Sequence, residues 1–230
     1  MALTKFPVTF FYDVLSPYSY IGFELMTRYN KIWTKMDLQL KPCSIFHIFK
    51  EADNKAPMTV PRKAAYLSHD LNRISKMSNI PFGTPSNFLE LAFGSGSTPA
   101  LKFLCAADAL TQSKATENLS RQIFKRVFTN NPGLEISSPK DWLEAGKAAG
   151  IDESTLNEII IQCEKPQFKA KLISNTKDAL GFGAFGAPST VVHSPDGPIL
   201  LFGSDRIELL AHLIGEKYIG PDPLSVQSKL

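Results

Sequence analysis

Cysteine is scarce in this sequence of 230 residues. There are three, Cys43, Cys105 and Cys163, far apart and odd in number. No Cys-x-x-Cys occurs, so neither a dithiol redox centre nor a zinc ribbon is available. A disulfide framework is excluded as the source of stability, and the usage fits a reducing intracellular compartment. The four histidines, His47, His69, His193 and His212, stand apart in sequence, and no metal site is expected. Long apolar runs are absent as well, which excludes a membrane-spanning helix. Charge of one sign is absent: Lys plus Arg number 25 and Asp plus Glu 22, giving a net charge of +3. That excess is too small to call for a nucleic-acid partner. Residues 1–13 lack the basic-then-apolar pattern of a signal peptide and the Arg-rich pattern of a transit peptide. What remains is 43 % hydrophobic and 20 % charged, enough core for one large domain or two small ones.

The β-branched and aromatic run Val8-Thr9-Phe10-Phe11-Tyr12 predicts a buried strand. Ser16 then offers an N-cap, with Pro17 at the first helical position. Ile21, Leu25 and Tyr29, broadened by Phe23 and Met26, recur at helical spacing. Leu38-Gln39-Leu40 alternates into a second strand that ends at Pro42. Strand, helix and strand at this spacing make a βαβ unit with parallel pairing.

From about Val60 to Phe182 no strand pattern stands out, and helix starts recur instead. Two are Ser97-Thr98-Pro99 and Ser138-Pro139-Lys140-Asp141, and residues 119–128, 153–161 and 166–180 are helical by period. Strands return with Thr190-Val191-Val192-His193 and Ile199-Leu200-Leu201-Phe202, around a turn in which Gly197 can take positive φ. Gly203-Ser204-Asp205 then opens a last helix carrying Leu209, Leu210, Leu213 and Ile214. The order βαβ, helices, ββα is an α/β thioredoxin-like plan. Residues 1–59 and 183–230 form the thioredoxin-like domain, interrupted by an all-helical insertion domain at 60–182.

Three constellations bear on chemistry. Ser16-Pro17-Tyr18-Ser19 occupies the strand-to-helix turn where thiol–disulfide oxidoreductases of this fold carry Cys-Pro-x-Cys. Serine at both cysteine positions removes disulfide exchange, because a hydroxyl is neither thiolate nor disulfide partner. A hydroxyl at a helix N-terminus can still donate to an anion. The second is Gly183-Ala184-Phe185-Gly186-Ala187-Pro188, leading into the hairpin. A cis Pro188 would turn the backbone N–H and C=O of Ala187 outwards, ready to pair with an extended peptide. The third is Gly203-Ser204-Asp205-Arg206, whose backbone amides suit a carboxylate and whose Asp205 suits an ammonium group. Taken singly, each also reads as ordinary structure: two helix caps and a Gly-rich strand entry.

Together they carry a resemblance. Phe11-Tyr12-Asp13-Val14-Leu15-Ser16-Pro17-Tyr18-Ser19, Pro61-Arg62-Lys63, Gly183-Ala184-Phe185-Gly186 with Pro188, and Leu201-Phe202-Gly203-Ser204-Asp205-Arg206 resemble, in order and over essentially the whole chain, the kappa-class glutathione transferases. The resemblance implies a homodimer with glutathione as co-substrate and a small hydrophobic electrophile as second substrate. It implies that Ser16 is the catalytic serine, hydrogen-bonded to the glutathione sulfur, with Pro17 and Tyr18 beside it. It also implies that Asn54 and Lys63 hold the glycine end, Ala187 and Pro188 the peptide backbone, and Ser204 and Asp205 the γ-glutamyl end. Tyr20 stands where many members have tryptophan, a departure that concerns the second-substrate pocket.

The expected activity is conjugation of the glutathione thiolate to electrophiles in detoxification, with reduction of lipid hydroperoxides as a possible second reaction. The competing readings are a glutathione-dependent 2-hydroxychromene-2-carboxylate-type isomerase and a non-catalytic glutathione- or peptide-binding protein. The sequence ends in Ser228-Lys229-Leu230, the tripeptide read by the peroxisomal import receptor. An exact match there arises by chance roughly once in several thousand chains. The expected location is therefore the peroxisome, with the mitochondrion as runner-up.

Overall fold

The strand β1 (Phe6–Tyr12) lies at the centre of the sheet and pairs on both edges. In this computed structural model, which describes residues 5–223 and Ser225, β1 runs parallel to β2 (Met36–Pro42), with Val8 opposite Leu38. On its other edge it runs antiparallel to β3 (Ser189–Ser194), with Val8 opposite Val192. β3 turns back into β4 (Gly197–Phe202), giving the order β2-β1-β3-β4. The turn between them is tighter than expected: Ser194 pairs with Gly197, leaving Pro195 and Asp196 as the loop, and Gly197 takes φ +119°. The tripeptide Ser228-Lys229-Leu230 lies outside the described residues.

A strand buried on both faces needs apolar residues at successive positions, and β1 supplies them. Val8, Phe10 and Tyr12 face one core, while Phe11 faces a second with Cys43, Ile48, Ala179, Ala184 and Val191. The crossover from β1 to β2 is α1 (Pro17–Asn30), capped by the Ser16 hydroxyl, which accepts from the Ser19 N–H at 3.1 Å. After β2 comes a helix that the sequence pattern did not separate, α2 (Ile45–Glu51), capped by Ser44. A 3-10 turn (Pro57–Thr59) leads into α3 (Pro61–Ser78). The helices α4 (Phe88–Phe93), α5 (Thr98–Leu110), α6 (Thr116–Phe128), α7 (Pro139–Ala148), α8 (Glu153–Gln162) and α9 (Pro166–Gly181) follow. Ser138 and Asp141 close a full capping box on α7.

The helix α10 (Ile207–Ile214) begins later than the sequence pattern implied. Arg206 occupies the cap position without a side-chain bond, so Gly203-Ser204-Asp205 form a turn before the helix and not its first turn. Gly203 adopts φ +103°, a conformation incompatible with a helix, and its N–H donates to the Pro188 carbonyl at 3.0 Å.

One contiguous core links the sheet to the intervening helices. The Phe124 ring of α6 lies 5.8 Å from Tyr12, 5.2 Å from Tyr20 and 5.3 Å from Phe23. The Tyr12 hydroxyl, fully buried in β1, bonds the Ser120 hydroxyl at 2.6 Å, so its polar tip is satisfied from α6.

Candidate active site

A cavity of about 920 Å³ opens where the N-terminus of α1, the connection from α2 to α3, and the ends of β3 and β4 converge. The nine residues that the resemblance assigns to glutathione lie on its wall, whereas Tyr20, expected to bear on the second-substrate pocket, is buried against Phe124 and Phe128 and does not line it. Ser16, Pro17 and Tyr18 come from the start of α1, Asn54 from beyond α2, and Lys63 from the first turn of α3. Ala187 and Pro188 precede β3, and Ser204 and Asp205 follow β4. These residues come from three separated stretches of the chain, 16–18, 54–63 and 187–205. The antiparallel pairing of β3 with β1 and β4 brings both ends of the last stretch beside the helix that β1 launches.

Ser16 is buried, and its hydroxyl is fully engaged. It accepts from the Ser19 N–H and donates to the Ala187 carbonyl at 3.1 Å. The Ala187 C=O, expected to turn outwards for an extended peptide, thus already accepts one hydrogen bond from within the protein. Ala187 is itself buried, and a buried carbonyl requires a donor, which Ser16 provides. The Ala187–Pro188 peptide is cis.

α1 approaches this strand entry closely because residue 22 is glycine. A Cβ there would meet the Phe10 ring at 3.2 Å and Pro188 and Ser204 at 3.3 Å each. Gly22 lies within a helix, where it costs about 1 kcal/mol relative to alanine. That cost is offset by the close seating of Ser16, Pro188 and Ser204 around one space.

Beneath Ser16 lies a carboxylate that the sequence pattern did not single out. Asp13 is fully buried. Its Oδ1 accepts from the Leu15 N–H at 2.9 Å, and its Oδ2 accepts from the Ile45 N–H and the Ser97 hydroxyl at 2.9 Å each. Its backbone carbonyl accepts from the Ser16 N–H at 3.0 Å. Burial pushes the Asp13 carboxyl up to about 6, against the pull of its three hydrogen bonds. Nothing local in the sequence distinguishes it from an ordinary loop aspartate, because two of its three side-chain partners come from the start of α2 and from the residue before α5.

On the facing wall, the Tyr18 hydroxyl donates to Asp70 Oδ2 at 2.5 Å and the Tyr66 hydroxyl to Asp70 Oδ1 at 3.1 Å, tying α1 to α3. Burial, then the Asp70 bond, raises the Tyr18 phenol well above its usual range. Asn54 Nδ2 donates to the Phe185 carbonyl at 2.7 Å, joining the α2–α3 connection to the loop before β3. Asp205 is exposed and faces Arg206 across 3.3 Å. A surface pair of this kind contributes about 0–1 kcal/mol and exchanges readily for a ligand charge.

Much of the remaining wall is apolar: Phe46 and Phe49 of α2, Met58 of the 3-10 turn, Leu67 and Ile74 of α3, and Phe88 of α4, with Asp53, Lys55 and Arg206 adding charge. Among the described residues no group of three or more His, Cys, Asp or Glu side chains is placed to hold a metal ion. All three cysteines are buried and unpaired, and none lines the cavity. No helix among the described residues is long and apolar enough to cross a membrane.

Comparison with known proteins places the chain among families. Residues 7–215 match the DsbA-like thioredoxin domain. The chain is 40 % identical to human glutathione S-transferase kappa 1, over 97 % of each protein. It is 34 % identical to the rat protein of the same name, over 96 % of each. Its backbone is similar to that of a 2-hydroxychromene-2-carboxylate isomerase, with a TM-score of 0.70 over 91 % of this chain and 94 % of the other. Identity there is 18 %, so that likeness concerns the fold alone.

Proposed function

We propose that this cavity turns the thiol of glutathione into a thiolate and presents it to an electrophile, from the premise that the chain belongs to the DsbA-like thioredoxin family and to the kappa-class glutathione S-transferases. It is an enzyme, a glutathione transferase. The observation that carries the proposed mechanism is the Ser16 hydroxyl, held at the N-terminus of α1 on the cavity wall beside Ala187.

An ordinary thiol has a pKa near 8.5, so about 3 % is thiolate at pH 7. Lowering it by about two units requires roughly 2.7 kcal/mol of preference for the anion. A hydrogen bond from Ser16 to a charged sulfur contributes about 1.5–3 kcal/mol. The N-terminus of α1 adds about 0.3–2 kcal/mol. The two together suffice. When the Ser16 proton turns from Ala187 to the sulfur, the Ala187 carbonyl needs another donor. The cysteinyl N–H of glutathione, pairing as an added strand, supplies it. The thiol proton leaves to solvent, a carbon–sulfur bond forms, and the leaving group departs with its electron pair. Ser16 is a donor to an anion and never a nucleophile.

In the same reading, Asp205 and Ser204 take the γ-glutamyl end, while Lys63 and Asn54 take the glycine carboxylate. The wall of Phe46, Phe49 and Met58 receives the second substrate. Such a wall favours a small hydrophobic electrophile, and lipid hydroperoxides are of the same character.

The test is Ser16→Ala. The variant is expected to bind glutathione while the bound thiol's pKa rises by about one unit or more, with turnover at pH 7 falling more than about tenfold. An ultraviolet titration of the bound thiolate and an assay with an aromatic electrophile read the two. An unchanged thiolate titration would eliminate Ser16 as the activating donor.

We also propose a peroxisomal location and a homodimer. The location is supported by the closing Ser228-Lys229-Leu230, which favours the peroxisomal import receptor as partner and the peroxisome over the mitochondrion. The dimer is supported by resemblance to the kappa class. An N-terminal fluorescent fusion should be punctate with peroxisomal markers and become diffuse when the tripeptide is deleted. Puncta that survive the deletion would rule out this address as the cause.

A further inference from the structure

The mechanism above leaves unused the buried carboxylate under the catalytic serine. We propose that Asp13 is a positioning residue for thiolate formation: by gathering the Leu15 N–H, the Ile45 N–H and the Ser97 hydroxyl onto one carboxylate, it sets Ser16 against the α2 side of the cavity. The inference rests on the glutathione reading of the site.

The geometry gives Asp13 two roles at once. Towards its own loop it binds three positions: the Leu15 N–H through Oδ1, the Ser16 N–H through its carbonyl, and the Ser19 hydroxyl through its N–H at 3.5 Å. These bonds fix the backbone on either side of the Ser16 hydroxyl. Towards the rest of the protein, Oδ2 binds the first residue of α2 and the residue that precedes α5. α2 carries Phe46 and Phe49 into the cavity and leads to Asn54. One carboxylate therefore holds the sulfur end of the cavity in register with the wall that leads to the opposite end. A displacement of Ser16 on the order of 1 Å is enough to lose most of a hydrogen bond to sulfur.

The sign of the effect separates positioning from simple charge. The other titratable group identified at Asp13 is Cys43, a buried thiol held well above its usual range by burial and by Asp13. A bare negative charge under the site opposes a thiolate, so removing it should lower the bound thiol's pKa. Loss of positioning should raise it, because Ser16 no longer reaches the sulfur.

Asp13→Asn tests this at constant shape. The amide nitrogen must sit at one of the two oxygen positions, where it faces either the Leu15 N–H or the Ile45 N–H, donor against donor. Ser97→Ala removes one donor and leaves the carboxylate. It serves as the milder variant should Asp13→Asn fail to fold by circular dichroism.

Glutathione bound to each full-length variant is titrated through its ultraviolet thiolate band, with kcat and KM measured alongside. The expected result is a thiol pKa raised by about one unit in Asp13→Asn and about 0.3 in Ser97→Ala, which from a wild-type value of about 6.5 lowers kcat at pH 7 about threefold and about 1.2-fold. A pKa that falls or stays unchanged in a folded variant overturns the proposal. A wild-type protein that shows no lowered thiol pKa overturns the glutathione reading itself, and this inference with it.

Discussion

Two residues on one cavity wall, Ser16 and Asp205, differ in what they touch, and so in what their loss should do. Asp205 is exposed, in a turn rather than a helix cap, and binds a part of glutathione remote from sulfur in the proposed reading. Such binding is the same in ground and transition states, so it acts on KM and leaves kcat alone. Asp205→Ala should therefore raise the glutathione KM about three- to tenfold, solvent screening holding it below the value of a buried pair, with kcat at saturation within about twofold. Loss of turnover at saturating glutathione would sink the assignment. Ser16 and Asp205 were legible in the sequence as candidates because each falls in a short, unbroken motif, and the fold brings both to one cavity. The sequence did not disclose Asp13. The significance of that aspartate comes from donors 32 and 84 positions away, a relation no local pattern holds.

The elements were legible where local signals agreed. α1 has a cap, a proline at its first position and a full apolar stripe, and α7 has a complete capping box. The central strand was legible because burial on both faces leaves a run of β-branched and aromatic residues. α2 was not, because Ile45, Phe46, Ile48 and Phe49 spread apolar residues around seven positions, too few for a period to show. The start of α10 was misplaced for a related reason. Ser204-Asp205 has the composition of a cap, but Gly203 with φ +103° and its bond to Pro188 hold that stretch in a turn. This turn, with Gly22 leaving no Cβ to crowd it, places Ser204 and Pro188 beside α1. This side of the site is thus assembled where α1 meets the two connections that flank the β3–β4 hairpin, a meeting that sequence separation conceals.

At the scale of the whole molecule, the sheet and the inserted helices share their interior. Tyr12 of β1 bonds Ser120 of α6, and Tyr20 of α1 stacks on both Phe124 and Phe128, at 5.2 and 5.7 Å. Neither part retains a closed core without the other, so both should unfold in one transition. The two tryptophans report on the two parts separately. Trp33 follows α1, lies 4.2 Å from the Tyr29 ring and donates to the Lys217 carbonyl. Trp142 lies in α7, 5.1 Å from the Phe103 ring, and donates to the Ile136 carbonyl. Trp142→Phe leaves fluorescence from the sheet side, and Trp33→Phe leaves it from the helical side. Each substitution shifts stability by its own amount, so the comparison is made within a variant, between fluorescence and far-ultraviolet circular dichroism. In urea the two curves should coincide in both variants, with midpoints within about 0.2 M. In Trp142→Phe, a fluorescence transition that precedes the loss of helix would show that the sheet opens while the inserted helices stand. The phenylalanine contacts across β1, α1 and α6 would then be too weak to make one cooperative unit.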